Sequence, residues 1–133
     1  MTLNQEFPVS IESQFLGGNG KDDRTTLNVC TPGTNMVIDG DLITRHCTNS
    51  SSETFHGDQW VTVEIEVRGS DELIHRINGK SVFELKDIQL DENDSDAKLL
   101  IEERSNLLLS EGYIAIQAES HPTQFRKIQI KPL

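Results

Sequence analysis

Gly112-Tyr-Ile-Ala-Ile-Gln-Ala-Glu-Ser-His-Pro-Thr-Gln-Phe-Arg-Lys-Ile-Gln-Ile130 reads as two β-strands joined by a tight connection. Side chains alternate along a strand, so Ile114 and Ile116 fall on one face while Gln117 and Glu119 fall on the other. A proline between the two runs interrupts the pattern, because proline is not tolerated in a central strand. The stretch therefore predicts a strand pair whose polar face is either wet surface or the floor of a cleft.

A strand near the start of the chain has the same division of faces. In Ser10-Ile-Glu-Ser-Gln-Phe-Leu16, the apolar residues alternate with Glu12 and Gln14, which lie about 7 Å apart along the strand. Two such strands can line one concave sheet, and a carboxylate–amide floor would then result. Two ordinary solvent-facing strands are the alternative.

Two hairpin turns and one long alternating run predict the fold class. Asp39-Gly40 and Asn78-Gly79 each lie between apolar runs, which is typical of two-residue type I′ hairpins. Trp60–Arg68 has the cleanest alternation, with a predicted core face of Val61, Val63, Ile65 and Val67. Ser95 is expected to cap one short helix over residues 96–104. These features predict a single all-β domain over residues 1–133, an antiparallel β-sandwich with one short helix.

The two cysteines leave a disulfide open. Pairing across the Asp39-Gly40 turn places Cys47 opposite Pro32, so Cys30 is reachable only if the strands splay or bulge. A zinc site would need His46 and His56 as further ligands. A disulfide is favoured in an oxidising compartment.

Composition excludes several classes of partner. The chain has 133 residues and a net charge of −10, which disfavours nucleic acid and anionic membrane surfaces. No apolar run reaches the roughly 20 residues of a spanning helix, and the first residues lack the regions of a signal peptide. The sequence predicts neither a nucleic-acid nor a membrane partner.

Polar residues at loop positions supply the remaining candidates for chemistry. They are the pair Arg45-His46, the segment Phe55-His-Gly-Asp-Gln-Trp60, and His121 beside a proline. Histidine exchanges protons near neutral pH, although a turn and a surface pair are the alternatives for these segments. No nucleophile elbow or phosphate loop is present, and the single carboxylate of the first strand disfavours two-carboxylate glycoside hydrolysis there.

The motifs, taken in order, resemble a known family. They are Ser10-Ile-Glu-Ser-Gln-Phe-Leu, Asn28-Val-Cys-Thr-Pro-Gly-Thr, Thr44-Arg-His-Cys-Thr, Phe55-His-Gly-Asp-Gln-Trp-Val-Thr-Val-Glu, His75-Arg-Ile-Asn-Gly-Lys and Gly112-Tyr-Ile-Ala-Ile-Gln-Ala-Glu-Ser-His-Pro with Phe-Arg-Lys-Ile. Together they resemble the 3-keto-disaccharide hydrolase domain family. The resemblance implies a concanavalin A-like lectin/glucanase jelly roll and a periplasmic or secreted location. The family's additional N-terminal strands lead us to expect that the chain is the C-terminal two-thirds of a larger domain.

The resemblance implies cleavage of glycosides that are already oxidised at C3. Such a site needs a base, a group that holds the enolate and an acid. By their chemistry, His56 or Glu119 would be the base, and Arg45 or His46 would hold the enolate. Glu12 is a third catalytic candidate and could also bind sugar hydroxyls. The remaining candidates would bind sugar hydroxyls or stack on the ring, and they are Gln14, Trp60, Gln117 and His121. Glu12 and Glu119 are also candidate ligands for a divalent metal.

Two other functions are consistent with the same residues. Aromatic residues make up only 5% of the chain, with Trp60 and Tyr113 as its only Trp and Tyr, so a non-catalytic carbohydrate-binding or adhesion module is one alternative. The other is an interaction module that forms a homodimer through an open sheet edge.

Overall fold

The protein folds as two antiparallel sheets and one short helix. The computed structural model describes residues 8–104, 106–118 and 122–133. The three-stranded sheet has the order β1-β2-β5 and the five-stranded sheet the order β4-β3-β8-β7-β6. The elements are β1 Glu12–Gln14, β2 Asn28–Cys30, β3 Thr34–Ile38, β4 Asp41–Ile43, β5 Cys47–Thr48, β6 Val63–Arg68, β7 Glu72–Ile77, β8 Lys80–Leu90 and α1 Ser95–Glu102. The predicted all-β sandwich class is confirmed.

Both predicted hairpin turns are present. Asp39 and Gly40 have φ values of 52° and 89°, and Asn78 and Gly79 have values of 51° and 81°. Positive φ at both central positions is the signature of a type I′ turn, which matches the right-handed twist of the flanking strands. The two turns connect β3 to β4 and β7 to β8, so local sequence fixes two of the four pairings in the five-stranded sheet.

The two sheets pack face to face around a shared apolar core. Val29 of β2 is fully buried among side chains of the five-stranded sheet: Met36, Leu73, Phe83, Leu85 and Ile88. A smaller apolar cluster attaches helix α1 to the sheet, because Ala97 of the helix packs against Val9 and Leu90. Burial of such side chains contributes roughly 1.5–3 kcal/mol each, so the contact between the two sheets stabilises the fold strongly.

The chain changes sheets on both sides of the β3–β4 hairpin. Paired residue numbers add to 79 in this hairpin, as the sequence predicts, but to 77 between β2 and β5. This shift of two places Cys30 directly opposite Cys47, and the two form a disulfide. The disulfide left open by the sequence is therefore present, because the two cysteines lie on strands of a different sheet from the hairpin.

The helix begins one residue earlier than expected. Asp94, rather than Ser95, is the N-cap, and its side chain accepts hydrogen bonds from the backbone N–H groups of Asp96 and Ala97. Aspartate and serine are about equally good caps, so residue type alone did not separate the two. Among the described residues, no helix is long and apolar enough to cross a membrane.

The expected core face of Val61, Val63, Ile65 and Val67 is only half correct. Val61 and Val63 pack against a buried cluster, whereas Ile65 is 42% and Val67 49% exposed. Ile65 and Val67 are paired with His75 and Leu73 of β7, whose side chains are buried. Ile65 and Val67 therefore lie on the core-facing side of the sheet. β6 is an edge strand of the five-stranded sheet, and the narrower three-stranded sheet does not cover it. Ile65 and Val67 therefore stay exposed.

The predicted strand pair of the C-terminal segment is wrong for the described residues. Residues 111–118 and 122–133 form no regular secondary structure and are exposed throughout. Tyr113 and Ile114 are 83% and 85% exposed. Strand propensity takes effect only where a neighbouring strand offers a hydrogen-bond ladder. Phe125 instead makes an edge-to-face contact with Phe15, with ring centroids 5.8 Å apart.

Candidate functional site

Glu12 and Gln14 lie on the face of the three-stranded sheet that points away from the core. Between them, Ser13 points inward, because its hydroxyl is 2.8 Å from the ring of His75 on the other sheet. Glu12 is paired across the sheet with Cys30, which is paired with Cys47. Since directly opposed residues share a face, Glu12 and the disulfide form one row on this outer side.

Arg45 and His46 lie at the end of the sheet marked by the disulfide. The His46 carbonyl accepts a 2.8 Å hydrogen bond from the backbone N–H of Thr31. The Arg45 side chain donates to the Thr48 hydroxyl at 2.8 Å. Both side chains are exposed. The structure therefore groups Arg45 and His46 with Glu12 and the disulfide.

His56 is held by a glycine-rich loop at the other end of that sheet. The isolated β-bridge between Gly18 and His56 is reinforced by a 2.8 Å hydrogen bond from the Gly18 N–H to the Phe55 carbonyl. A Cβ on Gly18 would collide with the His56 ring and lie only 2.7 Å from Cγ2 of Thr54. Glycine is therefore required at position 18 for this close approach.

The hydrogen bonds of His56 determine its role. The backbone N–H of Gly20 donates to Nδ1 of His56 at 3.0 Å. A backbone amide can only donate, so Nδ1 has a lone pair and the proton of the neutral ring sits on Nε2. In this tautomer the exposed Nε2 is a hydrogen-bond donor. The loop therefore sets up His56 as a neutral hydrogen-bond donor to an oxyanion rather than as the base that the sequence suggested.

Trp60 follows this loop and contacts a cation from the C-terminal segment. Half of the Trp60 surface is exposed, and the guanidinium carbon of Arg126 lies 4.0 Å from its ring centroid. This is a cation–π contact. Sequence reasoning missed Arg126 as a site candidate because it treated the residue only as part of a strand. The Phe-Arg motif at 125–126 is the signal that could have identified it.

The remaining candidates lie on the C-terminal segment. Gln117 is exposed and lies in residues 111–118, which form no strand. Glu119 and His121 lie outside the described residues. The convergence of Gln117 and Glu119 with the first strand therefore stays a prediction.

The described candidates form two groups rather than one. Glu12, Arg45 and His46 lie near the disulfide, whereas His56 lies beside Gly18, six residues further along from Glu12. At the rise of a strand, six residues span up to about 20 Å. Two surface depressions contain none of the candidate residues. One, of about 300 Å³, is lined by Val37, Asp39, Gly40, Glu84 and Lys86. The other, of about 410 Å³, is lined by Glu103, Arg104, Asn106, Leu108, Ser110 and Glu111.

A divalent-metal site was tested against the donors present. Within the described part of the chain, Cys30, His46 and Cys47 are the one group of three metal-ligating residue types that lie close together. Both sulfurs of this group are bonded to each other, so the oxidised protein offers no thiolate ligand there. The proposed metal-binding pair of Glu12 and Glu119 includes a residue outside the described ranges, so this pair stays a prediction.

The inner face also contains a buried histidine that sequence reasoning did not single out. His75 is fully buried, and its Nδ1 donates to the Leu27 carbonyl at 3.0 Å. Nε2 is therefore the acceptor for the Ser13 hydroxyl. Burial lowers the pKa of His75 below its ordinary value, and the hydrogen bond to Leu27 opposes this shift. The hydrogen-bonded pair of Ser13 and His75 connects the two sheets, and the buried ring of His75 is not accessible to a substrate.

Comparison with known proteins assigns the chain to a family. No curated protein and no solved structure is similar enough to this chain to be matched. A family model described as a 3-keto-alpha-glucoside-1,2-lyase-like domain matches residues 1–131. The name of that family indicates a carbohydrate-active domain of the 3-keto-glycoside lyase or hydrolase type. Because the match spans almost the whole chain, this protein belongs to the 3-keto-disaccharide hydrolase family.

Proposed function

We propose that this protein cleaves glycosides oxidised at C3 by elimination followed by hydration. The observation that carries the proposal is the family match over residues 1–131. The C3 ketone acidifies the C2 proton. A base removes this proton to give an enolate, and the C1–O bond then breaks to give an enone and an alkoxide, which takes a proton from the protonated base and leaves as the free alcohol. Hydration of the enone then adds the hydroxyl group of one water molecule to C1 and a proton to C2, which gives 3-keto-glucose.

The geometry of the glycine-rich loop supports one role directly. His56 presents its Nε2–H outward, which suits donation to the ketone oxygen as the enolate forms or to the departing oxygen. Arg126 lies against the ring of Trp60, which follows His56 by four residues along the chain. We assign the negative charge of the enolate to these two groups, and this replaces Arg45 and His46 in that role.

The base in this proposal is a carboxylate. Because the Gly20 amide occupies Nδ1 of His56, the neutral ring has no lone pair free to accept the C2 proton. Glu119 keeps the role of base, and Glu12 and Gln14 keep that of binding sugar hydroxyls. The direct test is incubation with a 3-keto-glucoside. Release of 3-keto-glucose supports the proposal, and an unchanged substrate, with or without added divalent metal, contradicts it.

The exposed ring of Trp60 supports a second candidate, a non-catalytic carbohydrate-binding module. A half-exposed indole offers an apolar face on which a sugar ring can stack, and Arg126 lies against the ring without burying it. Glycan binding without turnover of 3-keto-glycosides would favour this candidate over the enzyme.

Trp60→Ala tests the binding surface. We expect the variant to weaken binding of a glycan by about tenfold, because loss of one stacking contact costs about 1.4 kcal/mol. Isothermal titration calorimetry measures the change. Tyr113→Ala is the matched control, since Tyr113 is more exposed and belongs to the C-terminal segment. Equal affinity of Trp60→Ala and the unmodified protein would exclude Trp60 from the site.

The disulfide supports a proposal for location. Cys30 and Cys47 are bonded, and such bonds persist in the periplasm and outside the cell. We propose that the protein acts in an oxidising compartment, consistent with the location implied by the sequence resemblance.

A further inference from the structure

The Cys30–Cys47 disulfide has a histidine beside it. The two sulfurs and a ring nitrogen of His46 all lie within 4.8 Å of one another. Cys30 is buried, whereas His46 and Cys47 are exposed, so the group is open to solvent on one side. Ligands bound at about 2.0–2.3 Å to one tetrahedral zinc ion lie roughly 3–4 Å apart. Small side-chain rotations would therefore bring these three atoms onto a single ion.

The backbone holds this group together independently of the S–S bond. Cys30 and Cys47 face each other in the β2–β5 ladder, which fixes their Cα atoms as partners. The Thr31 N–H donates to the His46 carbonyl at 2.8 Å, and the Arg45 side chain donates to Thr48. Hydrogen bonds of this kind survive reduction, so the free thiols would remain neighbours of His46.

The surroundings favour a cation. Glu12 is the cross-strand partner of Cys30 on the same face of the sheet, so it places a negative charge on the outer side of this group. The chain has a net charge of −10, which raises the local concentration of divalent cations. Two thiolates and an imidazole form a soft donor set that selects zinc-like ions over calcium or magnesium.

We propose that reduction converts the Cys30–Cys47 disulfide into a binding site for one thiophilic divalent cation, with Cys30, Cys47 and His46 as ligands. A dithiol or phosphine reductant supplies two electrons to the S–S bond and is itself oxidised, and two protons complete the thiols. Cation binding then releases both thiol protons, because the ligands are thiolates. Water takes the fourth position. The site is independent of the proposed glycoside chemistry, since His56 is not part of it.

Cobalt titration of the reduced protein tests this site. After anaerobic reduction with a phosphine and its removal, we expect Co²⁺ to bind with one-to-one stoichiometry and to give thiolate-to-cobalt charge-transfer and tetrahedral d–d absorption. Zn²⁺ should displace it, as zinc binds such ligands more tightly. The oxidised protein should show neither band. The absence of these bands in the reduced protein, or equal bands in the oxidised protein, would overturn the proposal.

Two histidine variants identify the third ligand. His46→Ala should weaken Co²⁺ binding to the reduced protein by at least about tenfold, a loss of about 1.4 kcal/mol. His56→Ala is the matched control, since it also removes one exposed histidine but lies beside Gly18 rather than beside the disulfide. Equal weakening in both variants, or none in His46→Ala, would overturn the assignment. Circular dichroism checks the fold: loss of the β-sheet signal on reduction that Zn²⁺ does not restore also counts against the site.

Discussion

Replacing His56 with alanine is expected to lower kcat/KM for a 3-keto-glycoside by about 10²- to 10³-fold, the usual contribution of one positioned oxyanion donor. The Gly20 amide holds Nδ1 of His56, and the outward Nε2–H is the group that donates as the enolate forms or the leaving oxygen departs. Steady-state kinetics on a 3-keto-glucoside measure the change. An unchanged kcat/KM would remove His56 from the mechanism.

A pair of glycine variants tests whether activity depends on where the His56 ring is held, and not only on the presence of a histidine at position 56. Gly18→Ala places a methyl group against the His56 ring, whereas a Cβ on Gly17 meets nothing within 4 Å. We expect Gly18→Ala to lower kcat/KM while Gly17→Ala leaves it nearly unchanged, with both variants folded by circular dichroism. Equal activity of the two variants would show that the close approach of Gly18 to His56 has no role in turnover.

Replacing His75 with leucine is expected to destabilise the fold by about 2–4 kcal/mol. The substitution leaves the Leu27 carbonyl and the Ser13 hydroxyl without their partners between the two sheets, and each unsatisfied buried group costs about 1–3 kcal/mol. Urea unfolding monitored by circular dichroism measures the loss. A change below about 0.5 kcal/mol, the range of ordinary surface substitutions, would contradict the role of His75 as a link between the sheets.

His75 also makes stability depend on pH. Its pKa is lowered in the folded state, mainly by burial, so the unfolded chain binds the proton more readily. The stability contribution is complete above the unfolded pKa of about 6.5 and is lost as pH falls from there through the folded pKa. The slope cannot exceed about 1.4 kcal/mol per pH unit for one group.

Ser13→Ala is the control for this pH dependence. It removes the hydroxyl that donates to Nε2 but keeps the buried imidazole. We expect it to cost about 1–2 kcal/mol and to retain the loss of stability below about pH 6.5, whereas His75→Leu abolishes that part of the profile. Parallel pH profiles for the unmodified protein and His75→Leu would show that another group causes the effect.

The local turn chemistry explains why much of the fold was predictable. Asp39-Gly40 and Asn78-Gly79 encode their hairpins in two residues each, because few residue pairs tolerate positive φ at both positions. The register of the β3–β4 hairpin followed from its turn, whereas that of the β7–β8 hairpin shifts by one residue between His75 and Arg76. The disulfide did not follow from the turns, because the change of sheet between Cys30 and Thr34 is a tertiary feature that a pattern within one hairpin does not contain.

Alternation predicts which side chains share a face but does not identify the neighbouring strand. Ile114 and Ile116 alternate as well as Val63 and Ile65 do, yet only the latter lie in a ladder. The same limit explains why Ile65 was expected in the core. Alternation correctly predicted that Ile65 is on the core-facing side, but the sequence of β6 does not determine how wide the opposing sheet is. His75 was detectable, since it alternates with the buried Leu73 and Ile77.

The candidate site was predictable in its parts and not in its grouping. Sequence identified His56 and Trp60 from their loop, but the tautomer of His56 depends on the Gly20 amide, which is 36 residues away. Arg126 approaches Trp60 from the C-terminal segment, so its role follows only from tertiary contact. Local sequence patterns do not predict contacts between residues that are this far apart in the chain.

Cleavage of a 3-keto-glucoside in D₂O tests the proposed chemistry most directly. Elimination removes the C2 proton and hydration returns one from solvent, so the 3-keto-glucose released by this protein should contain deuterium at C2, as read by mass spectrometry and NMR. A reaction without protein and one with His56→Ala correct for spontaneous exchange next to the ketone. We expect rapid release with deuterium at C2. Release with protium retained at C2 would contradict the elimination mechanism, and no release would contradict the proposed activity.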